Sequence, residues 1–379
     1  MRVRYYGPVG LPTGYGDAAN EFCMAMLTAG IDLEILTASA QLHQNYLDLA
    51  PLIRSDEMPP TPDPDVVIIH TLPLSCAKTL AAARVATDCP RAALIAYTTW
   101  EGLYAPKELL AALSPFRQIW VPSHVTARAI DVHNLNDVRV IPHATAAKRT
   151  VKHSLPPETR GDRPYKFYSI GAWTVRKNMD GVVRAYLHAF NKGDNVELRM
   201  HCYGAPPEAV ALVSVAATGL RPAELPPIHF TNGRLSNDEI AEIHRSSDCF
   251  VSASRGESWN IPAFDAMMAG NHIIATAGLG HDEFLNDTDH ERVDGFMVPA
   301  TGEVVLSNDN GRMHGQYIGG DCLTIKQSWR DPEIAGISSG MRSAAQYWPT
   351  LRVAYDPAER FGRAAVGQLI KQALEEVAP

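Results

Sequence analysis

The stretch that decides the fold is residues 252–270, SASRGESWNIPAFDAMMAG. Pro262 suits the first turn of a helix and Gly270 suits the residue after its end, so a helix is predicted from the one to the other. Its apolar residues recur at helical spacing and form one stripe, which consists of Ile261, Phe264, Met267 and Met268. Glu257 is therefore expected in the loop before this helix, and Asp265 in its opening turns.

Glu257 and Asp265 are the first candidate site residues. Two acceptor groups held apart, one on a loop and one on a helix, can accept hydrogen bonds from two different sets of sugar hydroxyls. The free amides at the start of the helix add a place for a phosphate. The alternative is that Asp265 merely complements the helix dipole and that Glu257 is a solvated surface residue.

Short apolar runs, many of them β-branched, recur between helical patterns along the chain. They are residues 66–69, 92–96, 119–121, 138–141, 167–170, 198–203, 249–251 and 272–275. Strands that alternate with helices predict parallel α/β layers. With 379 residues, of which 46% are hydrophobic and 20% charged, the chain is long enough for two such domains and has an ordinary globular composition.

Residues 144–164 mark the predicted domain boundary, because they contain several prolines and many charges but no periodicity. We divide the chain into a first domain at 1–155, a second domain at 156–350 and a C-terminal segment at 351–379. A helix with one apolar face is predicted at 357–377. Residues 302–321, which are rich in Gly, Asn and Asp, are predicted to form a long loop.

Residues 7–16, GPVGLPTGYG, predict a glycine loop between a strand and a helix, with Asp17 as the helix cap. Gly14 and Gly16 would let backbone amides approach an anion, and the helix N-terminus adds partial positive charge, so a diphosphate is a candidate ligand. The spacing is not GxGxxG, and no acidic residue ends the next strand as a dinucleotide site requires. A purely structural turn is therefore the alternative.

A cationic candidate follows the predicted strand at 167–170. Arg176 and Lys177 would lie at the C-terminal edge of the second domain's first strand, where open α/β sheets bind ligands. Adjacent cations at this edge suit a pyrophosphate leaving group, whose negative charge grows as the glycosidic bond breaks. Exposed Arg and Lys are common, so ordinary surface residues are the alternative.

Lesser candidates follow strands of the first domain. Trp100 and Glu101 come after the strand at 92–96 and would bind a sugar or an acceptor hydroxyl, or else be a core aromatic and an exposed acid. His70 ends another strand and His143 follows a third; a structural role is the commoner one for a lone histidine. The histidines and carboxylates show no HExxH or paired ligand spacing, so no metal site is predicted.

Composition excludes several classes of protein. No apolar run approaches the roughly 18 residues of a membrane span and the N-terminus lacks a signal-peptide core, so a cytoplasmic location is expected. The six cysteines show no CxxC pairing and are expected to be reduced core residues. The net charge of -8 gives no overall attraction for polyanions. Residues 148–177 nevertheless hold eight Lys or Arg, as either a solvated linker or a face toward phosphates.

Residues 246–270 resemble the E-x7-E signature region of family 4 retaining glycosyltransferases, which have the GT-B fold. Other segments that resemble this family follow in the same order, namely the loop at Gly14 and Gly16, residues 97–101, 120–123 and 140–143, the turn at Arg176 and Lys177, and residues 294–299, 329–333 and 341–342. The resemblance implies an α/β, GT-B architecture with two Rossmann-like parallel-sheet domains facing a central cleft. It also implies a nucleotide-sugar-binding second domain, an acceptor-side first domain and a last helix that packs back toward the first.

The resemblance assigns roles to residues by position. Glu257 would contact the hydroxyls of the donor sugar, Asp265 the nucleotide ribose, and Arg176 or Lys177 the diphosphate. The other implied donor-binding residues are Gly14, Gly16, Arg255, Ser258, Trp259, Asn260 and Ile261. The acceptor-side candidates are Tyr15, His70, Trp100 and Glu101, and the candidate catalytic residues are Glu101, Arg176, Lys177 and Glu257.

Two positions depart from the family pattern. Asp265 stands where the signature has a second Glu and is one methylene shorter, which affects the expected ribose contact. Ala172 stands where a basic residue commonly follows the glycine before the Arg176 turn, which leaves fewer cations for the diphosphate.

Together these expectations describe a retaining glycosyltransferase that moves a hexose or similar sugar from a nucleotide sugar, a UDP-sugar by default, to a hydroxyl without a metal or other cofactor. The acceptor is open between a small molecule, a saccharide, a lipid and a modified base in DNA, and the oligomeric state is open too. A NAD-dependent dehydrogenase is disfavoured by the missing GxGxxG. A non-catalytic nucleotide- or sugar-binding protein of the same fold remains an alternative because of Asp265 and Ala172.

Overall fold

The computed structural model describes the larger part of the chain. The described residues are 1–37, 41–54, 63–82, 85–131, 137–146, 162–204, 206, 208–285, 295–298, 300–306, 327–347 and 357–377. They fall into two compact units, the first made of described residues within 1–146 and 357–377 and the second of those within 162–306 and 328–347. The predicted boundary between residues 155 and 156 lies outside the described residues.

Strands and helices alternate through both units. The strands are β1 (Arg2–Tyr6), β2 (Asp32–Leu36), β3 (Val66–His70), β4 (Ala93–Tyr97), β5 (Gln118–Val121), β6 (Asp137–Val140), β7 (Tyr165–Ala172), β8 (Val196–Tyr203), β9 (Ile228–Asn232), β10 (Cys249–Ser252), β11 (His272–Thr276), β12 (Gly295–Val298), β13 (Ala300–Leu306) and β14 (Gln327–Pro332). The α-helices are α1 (Gly14–Thr28), α2 (Pro73–Ala82), α3 (Val85–Asp88), α4 (Lys107–Leu113), α5 (His124–Ile130), α6 (Met179–Ala189), α7 (Ala209–Thr218), α8 (Asn237–Ser246), α9 (Ile261–Met268), α10 (Asp282–Leu285), α11 (Ile334–Tyr347), α12 (Ala358–Phe361) and α13 (Arg363–Glu375). Within the described ranges, every helix is too short or too polar to traverse a lipid bilayer.

The first unit is built on six parallel strands in the order β2-β1-β3-β4-β5-β6. The chain moves outward from β1 to β2 and then returns to the other side of β1 for β3. The order of strands therefore reverses between β1 and β3, and this is the topological switch point of the sheet. All five residues of β3, VVIIH, are buried, as expected of a parallel strand covered on both faces.

The last helix, α13, packs against α1 in the first unit. A methyl group at Gly367 would lie 2.4 Å from the carbonyl oxygen of Ala25, so only glycine permits this approach of the two helices. Arg363 adds an ion pair with Glu21 at 2.7 Å. The single helix predicted at 357–377 is in fact two, α12 and α13.

Gly362 separates α12 from α13. Its backbone is extended (φ -64°, ψ 152°), so the helical ladder stops there and starts again at the next residue. A methyl group at Gly362 would lie 2.3 Å from the carbonyl oxygen of Ala358, which makes the break a close-packed one.

The second unit is also built on six parallel strands, in the order β12-β11-β10-β7-β8-β9. This is the doubly wound order of a Rossmann sheet, with its switch point between β7 and β10. A separate two-stranded sheet is formed by β13 and β14. The two parallel sheets give the α/β architecture that the alternation of strands and helices predicts.

Two predictions of local structure are wrong. Asp17 does not cap the first helix, because α1 begins at Gly14 and the Thr13 hydroxyl accepts a hydrogen bond from the Gly16 amide at 3.1 Å. Residues 302–306 are not a loop but part of β13, where the β-branched pair Val304 and Val305 favours a strand. The rest of the loop predicted at 302–321 lies outside the described residues.

Candidate active site

The C-terminal ends of β7 and β10 meet at the switch point of the second sheet, the edge at which open α/β sheets bind their ligands. Arg176 and Lys177 lie in the turn after β7, and Glu257 lies in the loop between β10 and α9. The structure thus brings Glu257 together with Arg176 and Lys177, a pair that lies some 80 residues earlier and that the sequence offered as a separate candidate.

Asn178 holds the cationic turn against the end of β10. Its backbone is left-handed (φ 50°, ψ 45°) at the start of α6, and its Nδ2 donates to the carbonyl of Ala253 at 3.0 Å. A methyl group at Gly181 would lie 2.6 Å from that Nδ2, so the glycine makes room for the side chain. These contacts fix the position of Lys177, the residue just before Asn178.

The Glu257 carboxylate is the centre of the site. Lys177 Nζ lies 2.6 Å from its Oε1, the Ser254 hydroxyl donates to the same oxygen at 2.6 Å, and Arg176 lies 3.4 Å from Oε2. The side chain is only 5% exposed, and such burial works to raise its pKa. The two cations and the Ser254 hydroxyl outweigh that effect and lower the pKa of Glu257 to about 2. The carboxylate is therefore fully ionised at neutral pH.

Arg255 reinforces the backbone of the site. Its amide donates to the carbonyl of Arg176 at 2.7 Å, which joins the loop after β10 to the turn after β7. Its guanidinium pairs with Asp331 at 2.7 Å and donates to the carbonyl of Val175 at 2.6 Å. Arg255 thus uses its side chain on protein partners, and the structure gives it a role in holding the loop.

Residues 258–261 carry the chain from the Glu257 loop into α9. Ser258 is buried, and Trp259 is buried against Phe284, with ring centroids 5.1 Å apart. Asn260 has a left-handed backbone (φ 73°, ψ 69°) and is the N-cap of α9. Ile261 is the first residue of the helix, and Asp265 lies half-buried farther along it.

His281 supports this segment from behind and was missed by sequence reasoning. Its Nε2 donates to the carbonyl of Thr276 at 2.6 Å, so Nδ1 is the acceptor that faces Asn260 Nδ2 at 3.4 Å. Burial lowers the pKa of His281, which keeps the ring neutral. The same Asn260 Nδ2 also donates to the Ser252 hydroxyl at 3.2 Å.

Gly280 and Ser254 were missed as well. The Gly280 amide donates to the carbonyl of Glu257 at 2.8 Å, and a methyl group at Gly280 would lie 2.1 Å from the Ser258 carbonyl group. The one available signal in the sequence was the pair of glycines, Gly278 and Gly280, just after a predicted strand. Ser254 offered no comparable signal, because its role depends on the fold of the loop.

In the first unit, Gly14, Tyr15 and Gly16 form the first turn of α1. A methyl group at Gly16 would lie 1.9 Å from the carbonyl oxygen of Leu11, so close backbone packing alone requires glycine at this position. The Tyr15 hydroxyl and the Thr99 hydroxyl are 2.6 Å apart, which ties the start of α1 to the end of β4. A phosphate contact by Gly14 or Gly16 stays a prediction.

His70 ends β3 beside the switch point of the first sheet. It is buried, its Nδ1 is 2.5 Å from the Tyr5 hydroxyl, and its ring centroid lies 5.6 Å from that of Tyr15. Burial lowers the pKa of His70 to about 3, so the ring is neutral. His143 is buried in the same way, with Nδ1 at 3.1 Å from the Tyr97 hydroxyl.

Trp100 belongs to a hydrophobic core of the first unit and is 4% exposed. Its indole nitrogen donates to the carbonyl of Tyr104 at 3.1 Å. The neighbouring Glu101 is partly exposed. This is the arrangement of the core-aromatic alternative for Trp100, and the acceptor-side role of Glu101 stays a prediction.

Residues 164–306 match the protein family described as glycosyl transferases group 1. This part of the chain is a group 1 glycosyltransferase domain. It contains β7, β10 and α9, and therefore Arg176, Lys177, Glu257 and Asp265. A search of curated proteins finds no match to the chain.

Solved glycosyltransferase structures share the fold over nearly the whole chain. The apo structure of OtsA is 11% identical, with a TM-score of 0.59 and 100% of each chain covered. The apo form of the lipopolysaccharide outer core galactosyltransferase WaaB is 11% identical, with a TM-score of 0.61 and 99% of each chain covered. A trehalose-6-phosphate structure from E. coli bound with UDP-2-fluoro glucose is 11% identical, with a TM-score of 0.56 and 99% and 96% of the two chains covered. The glycosyltransferase therefore has the GT-B fold, with two Rossmann-like parallel-sheet units.

Proposed function

We propose that this glycosyltransferase transfers a hexose or similar sugar from a nucleotide-sugar donor, by default a UDP-sugar, to an acceptor hydroxyl with retention of anomeric configuration. The observation that carries the proposal is the ionised, buried Glu257 clamped by Lys177 and Arg176 at the switch point. A UDP-sugar default is supported by the structural neighbour bound with UDP-2-fluoro glucose.

Charge complementarity supports a diphosphate at this place. Lys177 and Arg176 are both paired with Glu257, which holds the two cations at the sheet edge. A donor diphosphate brings further negative charge, so it can share these cations without leaving Glu257 unpaired. Preorganised cations of this kind stabilise the charge that develops on the leaving phosphate, and we propose that they do so without a metal ion.

Glu257 itself is suited to binding and not to proton transfer. A carboxylate with a pKa of about 2 is a strong hydrogen-bond acceptor for sugar hydroxyls but a weak base at neutral pH. We propose that the bond from the anomeric carbon to the phosphate oxygen breaks while the acceptor oxygen bonds to the same face of that carbon. The acceptor's proton then passes to the departing phosphate, and the nucleoside diphosphate leaves.

A modified base in DNA is the less favoured acceptor. It rested on the basic residues at 148–177, and the described ones among them have acidic partners in the protein. Arg163 pairs with Asp248 at 2.7 Å and Lys166 with Glu197 at 3.3 Å, while Arg176 and Lys177 pair with Glu257. Arg163 and Lys166, at the opposite end of β7 from the proposed donor site, are neutralised in this way, which favours a structural role for them over contact with a DNA backbone.

A binding panel tests the proposed function. UDP, GDP, ADP and their glucose conjugates are added to the wild-type protein, to Lys177→Met and to Arg176→Gln, and the melting temperature is measured. We expect one nucleoside diphosphate to stabilise the wild type, by about 2.7 kcal/mol at a concentration of 100 Kd, and each variant to lose most of this stabilisation. Arg245→Gln, which alters an exposed ion pair on α8, is the control and should respond as the wild type does.

Two results would overturn the proposed function. One is a wild-type protein that no nucleotide of the panel stabilises. The other, with NAD added to the panel as a further ligand, is stabilisation by NAD alone, which would point to a dehydrogenase. Release of the nucleoside diphosphate from its sugar conjugate by the wild type would in turn exclude a non-catalytic binding protein.

A further inference from the structure

Three arginines from distant segments lie side by side at the edge of the candidate site. The Arg255 amide donates to the carbonyl of Arg176 at 2.7 Å, and the Arg330 amide donates to the carbonyl of Arg255 at 2.9 Å. Arg176 follows β7, Arg255 follows β10 and Arg330 lies in β14. These two backbone hydrogen bonds bring Arg330 next to the loop that carries Glu257. Arg330 lies beyond residues 164–306, which the family model matches.

Arg330 extends over the loop that follows β11. A methyl group at Gly278 would lie 2.7 Å from Cζ of the Arg330 guanidinium, so the side chain rests on the bare backbone of this glycine. Gly278 has a left-handed backbone (φ 79°), and its amide donates to Asp282 Oδ2 at 2.9 Å. The guanidinium therefore lies at the sheet edge, beside the first turn of α10.

The three arginines differ in how their side chains are used. Arg176 donates to the carbonyl of Gly256 at 2.7 Å, and Arg255 pairs with Asp331. Within the described part of the chain, Nε of Arg330 is buried without a hydrogen-bond partner, and the guanidinium acts electrostatically on Asp282, whose pKa it works to lower. A buried donor of a permanently charged group is costly to leave unsatisfied, so this guanidinium is suited to an acceptor from outside the protein.

Other polar atoms around the β11 loop are also unsatisfied. Within the described ranges, the buried atoms without a hydrogen-bond partner include Ser258 Oγ, Thr276 Oγ1 and Asp282 Oδ1. Thr276 ends β11, Asp282 begins α10, and Ser258 packs against Gly280 of the loop between them. Unsatisfied polar atoms on these three neighbouring segments, close to a guanidinium, indicate a place suited to a polar ligand.

We propose that Arg330 is a donor-binding residue that contacts an anionic oxygen of the nucleotide sugar. This inference rests on the proposed function, because it takes the donor to lie against Lys177 and Glu257. The strands at this edge follow the order β7, β10, β11, so a ligand spanning the first two strand ends has Arg330 on its β11 side. Arg330 would restore the cation that Ala172 removes from the family pattern.

The anionic oxygen has two possible sources in such a donor. One is the diphosphate, which every nucleoside diphosphate sugar carries. The other is a carboxylate on the transferred sugar, as in a uronic acid. A guanidinium binds either group through charge-assisted hydrogen bonds. Two of its N–H groups can donate in parallel to two oxygens of a phosphate or of a carboxylate.

Calorimetric titration with four ligands separates the sources. UMP, UDP, UDP-glucose and UDP-glucuronate are titrated into the wild type, Arg330→Gln, Arg330→Lys and the exposed-arginine control Arg245→Gln, with the nucleoside chosen by the binding panel if it is not uridine. We expect Arg330→Gln to weaken binding roughly 10- to 100-fold, Arg330→Lys to weaken it less, and the control to leave it unchanged. A loss shared by UDP and both sugars identifies the diphosphate, and a loss confined to UDP-glucuronate identifies the carboxylate.

Unchanged affinity of Arg330→Gln for all four ligands would overturn the inference. If Lys177→Met still abolished UDP binding in the same series, the donor site would stand and only the role of Arg330 would fall. A wild type that binds none of the ligands would refute the donor site itself, and with it the role of Arg330. Melting of each variant without ligand separates a loss of binding from a loss of folding, and Arg330→Lys keeps the charge if the glutamine variant does not fold.

Discussion

The charge on Glu257 depends on three neighbours from two loops. A carboxylate buried to this extent would ordinarily take up a proton, because removing an ion from water costs several kcal/mol. Lys177, Arg176 and the Ser254 hydroxyl together reverse that tendency. Lys177 and Glu257 are therefore energetically coupled. Removing either residue leaves the charge of the other buried with less compensation, which lowers the stability of the folded protein.

We predict that Lys177→Met destabilises the protein at pH 7 by about 3 kcal/mol, because Glu257 remains buried with less compensation. The folded pKa of Glu257, about 2, is below its ordinary value of 4.5, so its contribution to stability is fully present above pH 4.5 and is lost as pH falls toward 2. A measurement at pH 7 therefore records the whole effect. Urea unfolding of the wild type, the two single variants and Lys177→Met/Glu257→Gln gives the coupling energy, which we expect to be about 2 kcal/mol. Strictly additive effects of the two substitutions would contradict the prediction.

Residue types in the sequence were enough to nominate Arg176, Lys177 and Glu257, because each follows an apolar run at a predictable strand end. Their mutual contact was not predictable in detail, since it depends on the pairing of β7 with β10. Ser254, His281 and Arg330 were not predicted as site residues, although Ser254 and Arg330 lie in segments that resemble the family. Their roles depend on contacts that form only in the folded chain, and no local sequence pattern predicts such contacts.

At the scale of elements, the loop between β11 and α10 sets the position of the Glu257 loop. Gly280 donates its amide to the Glu257 carbonyl and lies against Ser258 backbone to backbone. His281, the next residue, braces Asn260 at the start of α9. The loop after β10 and the loop after β11 are thus held together by backbone and side-chain contacts.

We predict that Gly280→Ala weakens both stability and donor binding. The new methyl group would lie 2.1 Å from the Ser258 carbonyl carbon and oxygen, which are backbone atoms and can yield only if the Glu257 loop moves. We expect a loss of about 2–4 kcal/mol in unfolding free energy, with a weaker affinity for the nucleoside diphosphate. Gly193→Ala is the matched control, because a methyl group there meets nothing within 4 Å. Equal stability of the two variants would show that the Glu257 loop can move at little cost to admit the methyl group.

The strands of both sheets illustrate what periodicity predicts and what it misses. Eight apolar runs predicted β3 to β8, β10 and β11 to within a few residues, because parallel strands buried on both faces are apolar along their length. β9, IHFTN, was missed because three of its residues are polar and the same three are exposed. β13 and β14 were missed because a small two-stranded sheet needs no continuous apolar run.

At the scale of the whole molecule, neutral buried histidines occur in both units. Burial lowers the pKa of His70 and of His143 in the first unit to about 3, and that of His272 in the second to about 4. Desolvation lowers the pKa of His281 as well. Each of these rings stays neutral below the ordinary histidine pKa of 6.5, because the fold excludes water from it.

Acid should therefore destabilise the first unit well above the pH range in which ordinary carboxylates titrate. The folded pKa of His70 and of His143 is below the unfolded value of 6.5, so the unfolded chain binds more protons and stability falls as pH drops below 6.5. Asp17 opposes this trend, because burial raises its pKa to about 6 and its protonation favours the folded state. Between pH 6.5 and 5 the balance is a loss of about 2 kcal/mol.

We predict that His143→Asn removes more than half of this pH dependence, because the Asn Nδ2 can still donate to the Tyr97 hydroxyl, whose own proton goes to the Ile141 carbonyl, but the amide does not titrate. Urea unfolding followed by circular dichroism at pH 7.5, 6.5, 5.5 and 5 measures the slope. His229→Asn, which replaces a histidine whose side chain is 59% exposed, is the control and should keep the wild-type slope. A wild-type unfolding free energy that stays constant from pH 6.5 to 5 would mean that water reaches His70 and His143 in the folded protein, and that the interior of the first unit is less closed than its buried core indicates.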